Sequence, residues 1–574
     1  MHSTLKFAPA RVAVEKRADG SMIVRSPQKL GPYARCVTQW LSDWSDKAPE
    51  RVFLAERAKK GGGWRKLTYR EAYGAARRIG QALLERNLSK DRPVAILSDN
   101  SVDHAVLALG AMHVGIPVAP ISPAYSLMSR DYGKLKYIFD LVQPGLVYAD
   151  DPEKYKTALA TIGAKPTSVE ELLEVNPGSL MEREFLKIGP DTVAKILFTS
   201  GSTGLPKGVV NTHRMLCANQ QMIAQAWPFL EEKPPVVVDW LPWNHTFGGN
   251  HNFNLVLRNG GTIYVDGGKP VPGLVEQTVA NLREVSPTLY FNVPRGFDLL
   301  LPHLEKDETL RDNFFKELDV LFYAAAALPQ NLWDRIKKLK PDLALLSAWG
   351  STETSPLATS VHFPIDRPGV IGLPVAECEL KLVPNAGKLE VRVRGPNVMP
   401  GYFKRPDLTE KAFDEERFYR IGDAAKLADP ADPSQGIVFD GRVAEDFKLS
   451  TGTWVHVGAM RVKLIASGDP LIQDAVITGH DRAEVGALVF LSPSSKDLTP
   501  EFIRSRLGAV LERLAHEPGS STRVTRLLVL SDPPSIDANE ITDKGYLNQR
   551  AVLERRAAQV EKLYASADKV VMSG

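Results

Sequence analysis

The residues most able to do chemistry lie in a stretch of hydroxyls and glycines that ends in a lysine. It runs from Lys195 to Gly208, with the sequence KILFTSGSTGLPKG. Glycine lets successive backbone N–H groups turn toward one point, because no Cβ stands in the way. Such N–H groups, together with hydroxyls and one ammonium, form a cradle for phosphate oxygens. The residues that would form this anion-binding loop are Thr199, Ser200, Gly201, Ser202, Thr203, Gly204 and Lys207.

The loop differs from the phosphate loop of the ordinary P-loop nucleotide hydrolases. Their motif, G-x-x-x-x-G-K-[ST], places a Mg²⁺-binding hydroxyl directly after the lysine. Here Gly208 follows Lys207. A flexible surface loop is the alternative interpretation. The apolar run 196–198 in front of the loop favours anion binding, because it predicts a buried strand that would hold the loop in place.

Apolar runs alternate with helical patterns along the chain, and these elements must position the loop. Apolar runs at 92–97 and 117–121 flank a predicted helix over 101–114. A strand, a helix and a strand at this spacing indicate a parallel sheet. At 379–383 and again at 389–394 apolar and charged residues alternate, which indicates an antiparallel sheet. We therefore expect a large domain of layered α/β subdomains with a small antiparallel, barrel-like part.

The end of the chain predicts a second, small domain of the α+β class. We place the boundary near Asp440-Gly441-Arg442, which divides the chain into residues 1–440 and 441–574. A helix is predicted over 500–516, and a terminal helix follows the loop 537–545. The predicted strands of this domain lie at 461–464, 475–478, 487–491 and 524–529.

Composition favours a cytoplasmic enzyme that acts on small molecules. A formal net charge of +3 over 574 residues does not indicate a nucleic acid or an anionic membrane as partner. The three cysteines form no C-x-x-C pair, which suggests a reducing compartment. The N-terminus has no continuous apolar segment typical of a secretory signal. The most apolar window, 105–121, is broken by glycines and prolines, so we expect no membrane span.

Seven motifs in order resemble those of the adenylate-forming superfamily, which comprises acyl-CoA synthetases, luciferases and carrier-loading adenylation domains. Any one match is weak, but together they extend over roughly residues 90 to 550. The motifs are TSGSTGLPKG (199–208), WNHTFG (243–248), YAAAAL (323–328), WGSTET (349–354), YRIGDAA (419–425), GRVAEDFKL (441–449) and ITDKG (541–545).

The resemblance implies that a carboxylate attacks the α-phosphorus of ATP. Both reactants are anions, so their repulsion must be neutralised and the pair must be held in line. Lys207 would hold the β- and γ-phosphates, and Thr352 would contact the α-phosphate. Glu353 would bind Mg²⁺. Lys544, on the small domain, would bridge the substrate carboxylate and the α-phosphate. The thiolate of CoA would then attack the acyl-adenylate, with AMP leaving, and the small, mobile domain would rotate between the two half-reactions.

The resemblance also implies where the rest of the nucleotide binds. Asp423 would accept both ribose hydroxyls, since an ionised carboxylate presents two acceptor oxygens, and Arg442 would support the same sugar. Lys448 lies where the family places a nucleotide-contacting lysine. The remaining ATP-binding residues that the resemblance implies are Ala324, Ala325, Ala326, Ser347, Trp349, Gly350 and Ser351.

A narrower resemblance points to the acid. The segments FKLSTGTWV (447–455) and EITDKGYLNQRAVL (540–553) are similar to the feruloyl-CoA synthase branch, whose members activate hydroxycinnamic acids. This implies an aromatic carboxylic acid and CoA as substrates. His245 would act in catalysis and form a wall of the pocket, Phe247 and Tyr323 would flank the ring, and Asn250 would bond to a phenol. The hinge departs from the commoner family pattern at Ala444, so its pivot residue is not given, and a homodimer is expected only as the commonest assembly.

Ordinary structural interpretations stand beside these roles. Asp423 could be a turn residue, Glu353 could be a carboxylate favoured by a helix N-terminus, and Lys544 could be a solvated lysine. His245 alone would more often be a core or surface histidine. Three alternatives of function also stay open: adenylation of a benzoate-like or fatty acid, loading of a carrier protein, and a non-catalytic nucleotide sensor or scaffold.

Overall fold

The computed structural model describes residues 5–58, 62–200, 204–271, 273–385, 387–516, 519, 521–543 and 545–572, without the side chains of Ser200 and Ser494. Four residues of the predicted site lie outside the described residues: Gly201, Ser202, Thr203 and Lys544. The fold is mixed α/β, with a large N-terminal domain and a small C-terminal domain. Within the described ranges, no helix is both long and apolar enough to span a membrane.

A mostly parallel sheet carries the predicted anion-binding loop. Its strands, in spatial order, are Leu146–Ala149, Val94–Leu97, Val118–Ile121, Val193–Ser200 and Pro206–Thr212. The first four are parallel, as the strand–helix–strand pattern predicted. The last runs antiparallel to its neighbour, and Thr199 pairs with Lys207. The loop is therefore the tip of a β-hairpin, whose returning strand the sequence analysis had not identified.

A second sheet leads into the predicted gating motif. In spatial order its strands are Val236–Asp239, Thr262–Val265, Val52–Arg57 and Trp64–Thr68. The first three are parallel and buried, and the fourth is antiparallel. The gating motif at 243–248 follows shortly after the strand that ends at Asp239.

A long mixed sheet carries most of the remaining predicted nucleotide residues. The strands Leu289–Asn292, Val320–Tyr323 and Ala344–Gly350 are parallel to one another. Every other pairing described in this sheet is antiparallel, which confirms the alternating pattern of 379–394. The antiparallel strands are Ala13–Lys16, Met22–Arg25, Leu357–Ser360, Val370–Pro374, Glu379–Asn385, Lys388–Arg394, Tyr419–Leu427 and Ile437–Arg442.

Helices cover these sheets, and their starts follow ordinary capping chemistry. The helix Tyr69–Glu85 begins with a capping box in which Thr68 and Glu71 each bond to the other's backbone N–H. The buried residues of its first part, Tyr69, Ala72, Ala76 and Ile79, recur every three or four positions, as a half-buried helix requires, and residues 79–83 are all buried. Other helices of the large domain are Val37–Lys47, Val102–Met112, Ala124–Leu127, Gly133–Val142, Lys156–Thr161, Val169–Leu173, Ser179–Lys187, His213–Ala226, Phe253–Arg258, Val275–Glu284, Pro294–Lys306, Glu308–Phe315, Gln330–Leu339 and Pro406–Ala412.

The small domain has its own sheet and its own core, which begins at Phe447. Its strands are Ile472–Thr478, Gly486–Leu491, Arg526–Leu530 and Val570–Met572, with a short hairpin of Phe447–Lys448 and Trp454–Val455. Its helices are Val457–Gly468, Pro500–Ala515, Gln549–Arg555 and Ala557–Ala565.

The predicted strand at 461–464 is wrong, because these residues lie inside the helix Val457–Gly468. The run Arg461-Val462-Lys463-Leu464 alternates charged and apolar side chains, which imitates a strand. The buried positions of the element are Val457, Met460, Leu464 and Gly468. Their spacing of three and four residues is that of a helix face.

The predicted boundary at residue 440 falls within a strand of the large sheet. The strand Ile437–Arg442 continues through it, and the second core starts five residues after Arg442, at Phe447. The position of the hinge stays a prediction. The C-terminal loop returns to the large domain: the carboxylate of Asp537 accepts hydrogen bonds from Ser129 Oγ at 2.6 Å and Arg130 N at 2.9 Å. Ile536 is buried in the core around the first parallel sheet.

Candidate active site

The tip of the hairpin meets the C-terminal loop of the small domain. Gly204 has φ +88, and a Cβ at this position would lie 2.5 Å from Asn539 Nδ2. A glycine is therefore suited to this position both by its backbone and by the close approach. A small cavity between the two loops is lined by Tyr125, Lys134, Gly204, Pro206, Asn539, Ile541, Thr542 and Asn548. Of these residues, Asn539, Ile541 and Thr542 come shortly before the predicted catalytic lysine in the sequence.

A segment of the large domain fastens the hairpin to the predicted metal ligand. Phe403 N donates to the carbonyl oxygen of Gly208 at 2.7 Å, and Val210 N donates to that of Gly401 at 3.2 Å. Between these two bonds lies Tyr402, whose ring centroid is 5.2 Å from the Nζ of Lys207. The Tyr402 hydroxyl donates to Glu353 Oε1 at 3.1 Å. One aromatic side chain thus contacts both the predicted phosphate-binding lysine and the predicted magnesium ligand.

The residues at Glu353 fit a Mg²⁺ site. Glu353 is only 7% exposed, and it has no ion-pair partner among the residues that the structure describes. It lies on the short turn Thr352–Thr354, directly after the strand Ala344–Gly350. Mg²⁺ in nucleotide enzymes usually takes one or two carboxylates, with phosphate oxygens and waters completing the shell. A single buried carboxylate beside the hairpin suits that ligand set.

Asp423 is held in place by two neighbours in the long mixed sheet. Trp349 Nε1 donates to its Oδ2 at 2.9 Å, and Arg442 Nε lies 3.4 Å from its Oδ1. Asp423 and Arg442 are opposite each other on adjacent strands, which explains their proximity. Burial raises the pKa of Asp423, and Arg442 opposes that rise. Oδ1 makes no hydrogen bond within the described part of the chain, so it can accept one from a ligand.

The predicted adenine loop follows the strand Val320–Tyr323. Ala325 and Ala326 are exposed, and Ala325 has φ +72. A non-glycine residue in this region stores backbone strain, which is a common feature of ligand-binding loops. Ser347, by contrast, is buried on the neighbouring strand, opposite Tyr323. The alanine loop is therefore open to a ligand, while Ser347 lies beneath it.

The gating motif ends in a π-helix, Phe247–Asn252. Cβ atoms at Gly248 and Gly249 would lie 2.2 and 2.3 Å from the carbonyl oxygens of Leu241 and Trp243. His245 starts this turn, with its carbonyl accepting from Gly249 N at 2.8 Å and its Nδ1 from Phe247 N at 3.3 Å. These contacts pack the motif tightly.

Asn100, on another loop, holds the gating motif from outside. It donates to the Leu241 carbonyl and accepts from Trp243 N, both at 2.9 Å.

The structure separates the predicted pocket residues. Phe247 packs with Phe291 and Phe322, at centroid distances of 6.5 and 5.8 Å. Tyr323 belongs to a different core cluster, because neighbouring residues on a strand point to opposite faces. Phe322 and not Tyr323 therefore packs with Phe247, and the role of Tyr323 beside the ring stays a prediction.

The side-chain amide of Asn250 is already paired within the protein. Its Nδ2 donates to Asn211 Oδ1 at 2.8 Å and to Thr246 Oγ1 at 3.1 Å. Its Oδ1 accepts from the buried Lys195 at 3.4 Å. These bonds occupy the atoms that were expected to bind a phenol.

Lys448 lies in the short hairpin of the small domain. It is exposed, and its Nζ lies 5.0 Å from the ring centroid of Trp454 in the short hairpin. Its predicted contact with the nucleotide stays a prediction.

Comparison with known proteins places the chain in a family. A model of the AMP-binding enzyme family matches residues 41–403, and a model of the AMP-binding enzyme C-terminal domain matches residues 447–568. The chain belongs to the AMP-binding enzyme family. The family resemblance that the seven motifs predicted is thereby confirmed.

Relatives of this AMP-binding enzyme differ widely in length. Over 87% of its length it is 26% identical to surfactin synthase subunit 2 of Bacillus subtilis, of which it spans only 13%. Over 78% of its length it is 26% identical to the long-chain-fatty-acid–CoA ligase of Escherichia coli O157:H7, of which it spans 89%. Among solved structures, an anthranilate CoA ligase in complex with anthranoyl-AMP aligns with a TM-score of 0.74 at 19% identity, covering 93% of this chain and 99% of that one. The last likeness shows a shared fold.

The sequence analysis missed two residues of this AMP-binding enzyme that position others. Tyr402 follows a glycine in an unremarkable loop, and Glu353 is 49 positions away, so no spacing connects them. Asn100 lies more than 140 residues before the gating backbone that it holds. The one sequence feature that could have drawn attention to Tyr402 is the basic, proline-containing stretch FKRP directly after it.

Proposed function

We propose that this AMP-binding enzyme activates a carboxylic acid with ATP and transfers the acyl group to CoA. The acid's carboxylate forms a bond to the α-phosphorus as the bond to pyrophosphate breaks. The thiolate of CoA then attacks the acyl carbon, and AMP leaves with the bonding electron pair. The products are the acyl-CoA thioester, AMP and pyrophosphate.

The observation that carries this proposal is the convergence of the hairpin, Glu353 and the C-terminal loop. Lys207 lies at the end of the hairpin tip, where it can hold the phosphates that become the leaving group. Tyr402 bonds to Glu353 and lies beside Lys207, so it links the carboxylate to the lysine. Mg²⁺, when bound, would neutralise charge on the phosphate oxygens. Gly204 brings the C-terminal loop against the tip, which would deliver Lys544 to the reacting carboxylate.

The ribose and adenine would bind on the long mixed sheet. Trp349 fixes the rotamer of Asp423, leaving Oδ1 to accept a ribose hydroxyl. Arg442 opposes the rise in the pKa of that carboxylate that burial causes. The open alanine loop would receive adenine. Thr352 would then donate its hydroxyl to the α-phosphate.

We further propose an aromatic acid of the hydroxycinnamic type, such as ferulic acid, as the substrate. Support comes from the aromatic side chains in and around the gating motif, where Phe247, Phe291 and Phe322 pack together. The segments at 447–455 and 540–553 also resemble the feruloyl-CoA synthase branch. The anthranilate CoA ligase of similar fold acts on an aromatic acid as well, as its bound anthranoyl-AMP indicates.

The proposal is tested by following products for a panel of acids: ferulate, coumarate, benzoate and octanoate. We expect AMP and pyrophosphate, with a thioester only when CoA is added, and the highest kcat/KM for ferulate or coumarate. Transfer to a carrier-protein thiol but not to CoA would support carrier loading instead. Nucleotide binding without turnover for any acid would indicate a sensor or scaffold.

A further inference from the structure

A buried histidine stands among the aromatic side chains behind the gating motif. His251 lies on the π-helix Phe247–Asn252 and is 1% exposed. Its ring stacks on Phe322 with centroids 5.2 Å apart, and Phe291 meets it edge-on at 5.4 Å. Phe247, one turn earlier, is 5.8 Å away. The imidazole is therefore a polar group set into an aromatic wall.

A short chain of hydrogen bonds determines which nitrogen of His251 carries the proton. Asp239 Oδ2 accepts from Asn252 Nδ2 at 3.0 Å. The amide oxygen of Asn252 must then face His251 Nδ1, which lies 2.9 Å away. An amide oxygen only accepts, so Nδ1 carries the hydrogen. Burial lowers the pKa of His251 to about 4, which keeps the ring neutral near pH 7. Nε2 is consequently a lone-pair acceptor.

That acceptor has no hydrogen-bond partner within the described ranges, although it is fully buried. A buried acceptor without a partner is unfavourable, and native structures contain few of them. Gln220 beside it repeats the pattern. Its Nε2 donates to the carbonyls of Asn250 and His251, at 2.9 and 3.2 Å, while its Oε1 finds no partner in the same residues. Both unpaired atoms accept, so a ligand that satisfies them must bring hydrogen-bond donors.

We propose that His251 Nε2 accepts a hydrogen bond from a hydroxyl group on the ring of the acid substrate. The inference rests on the proposed function and makes His251 a specificity-determining residue. A phenol, with a pKa near 10, keeps its proton at neutral pH and can donate it. A methyl ether at the same ring position has no proton to donate. An anionic group there would be repelled by the lone pair of Nε2. The enzyme thus selects acids with a free ring hydroxyl, surrounded by Phe247, Phe291 and Phe322.

The test compares hydroxylated cinnamic acids with their O-methyl ethers and with cinnamate, as kcat/KM for CoA-dependent AMP release. For the wild-type enzyme we expect a preference of roughly 10- to 100-fold for the free hydroxyl, because its loss leaves Nε2 buried and unpaired. His251→Phe should bring that ratio close to one, mainly by lowering kcat/KM for the hydroxylated acid. His251→Gln retains an acceptor oxygen and should keep part of the preference.

His113→Phe is the matched control. His113 is a buried histidine that stacks on Phe185 at 4.1 Å and has no partner for either nitrogen among the described residues. It is the C-cap residue of the helix Val102–Met112, and the preference should be unchanged in this variant.

Two results would overturn the inference while leaving the proposed function intact. One is that the wild-type enzyme uses the methyl ethers as well as it uses the hydroxylated acids. This measurement needs no variant, so it does not depend on whether a variant folds. The other is a preference that survives in His251→Phe. If no acid of the panel releases AMP, the proposed function itself fails.

Discussion

The hydroxyl of Tyr402 donates a hydrogen bond to Oε1 of Glu353 across 3.1 Å, and the ring of the same tyrosine lies 5.2 Å from the ammonium of Lys207. Tyr402 therefore contacts both Lys207 and Glu353, which come from distant segments and are both predicted to act at the phosphate end of ATP. The backbone on either side of Tyr402 bonds to the hairpin, and Met399 N donates to the Glu353 carbonyl at 2.8 Å. The segment 399–403 joins the lysine strand to the carboxylate turn.

Tyr402→Phe should weaken the use of Mg²⁺ more than the fold. The ring remains beside Lys207, but Glu353 loses a donor that fixes its rotamer. We expect a several-fold higher Mg²⁺ concentration for half-maximal AMP release, with a loss of about 1 kcal/mol in the free energy of unfolding. A Mg²⁺ titration of AMP release measures the first effect. Tyr264→Phe, on a ring that packs against Trp64, is the control and should leave the titration unchanged.

Asp423→Asn should weaken nucleotide binding and raise stability near neutral pH. Burial raises the pKa of Asp423 in the folded chain, so the unfolded chain releases this proton more readily. The free energy of unfolding of the wild type therefore falls as the pH rises from the ordinary carboxyl pKa through the raised one. The asparagine side chain does not ionise, so the free energy of unfolding of the variant does not fall in this way. The gain in Tm should appear at pH 7–8 and vanish near pH 4. A gain independent of pH would contradict the assigned cause.

Gly204→Val should slow adenylation by separating the hairpin from the C-terminal loop. A Cβ at Gly204 would already lie 2.5 Å from Asn539 Nδ2, and valine adds two further methyl groups. We expect on the order of a ten-fold fall in kcat. Gly163→Val controls for backbone strain, since Gly163 has φ +63 and a Cβ there meets nothing within 4 Å. Equal losses in both variants would show that strain, and not loop contact, is responsible.

Lys544→Ala should abolish most of the adenylation step while ATP binding stays largely intact. This follows from the family role of the ITDKG lysine and from the contact between its loop and the hairpin. Pyrophosphate exchange measures adenylation, and equilibrium dialysis measures ATP binding. Lys569→Ala, at an exposed position near the chain end, should leave both unchanged. Full exchange in Lys544→Ala would remove the lysine from the chemistry.

Much of the fold could be predicted from the sequence, because buried strands and half-buried helices leave local patterns. The loop at 324–327 and the helix Gln330–Leu339 that follows it are confirmed. The strand at 461–464 was wrong, since a run of four residues fits both periods. Longer context, with the buried positions three or four apart, decides in favour of the helix.

Residues of the candidate site could be predicted only where they belong to one of the seven motifs. Asp423 and Arg442 lie together in the structure, and their roles in binding the ribose stay predictions. The choice between Phe322 and Tyr323 depends on which face of one strand points to the pocket, and a strand buried on both faces gives no such signal. The hydrogen bond from Tyr402 to Glu353 joins two segments that are far apart in the sequence, and local sequence patterns do not encode such a contact.

The most direct test of the central claim is the nucleotide product of acid-dependent ATP turnover. With ferulate or coumarate and CoA, the account predicts one AMP and one pyrophosphate for each thioester formed. Formation of ADP and inorganic phosphate would contradict it.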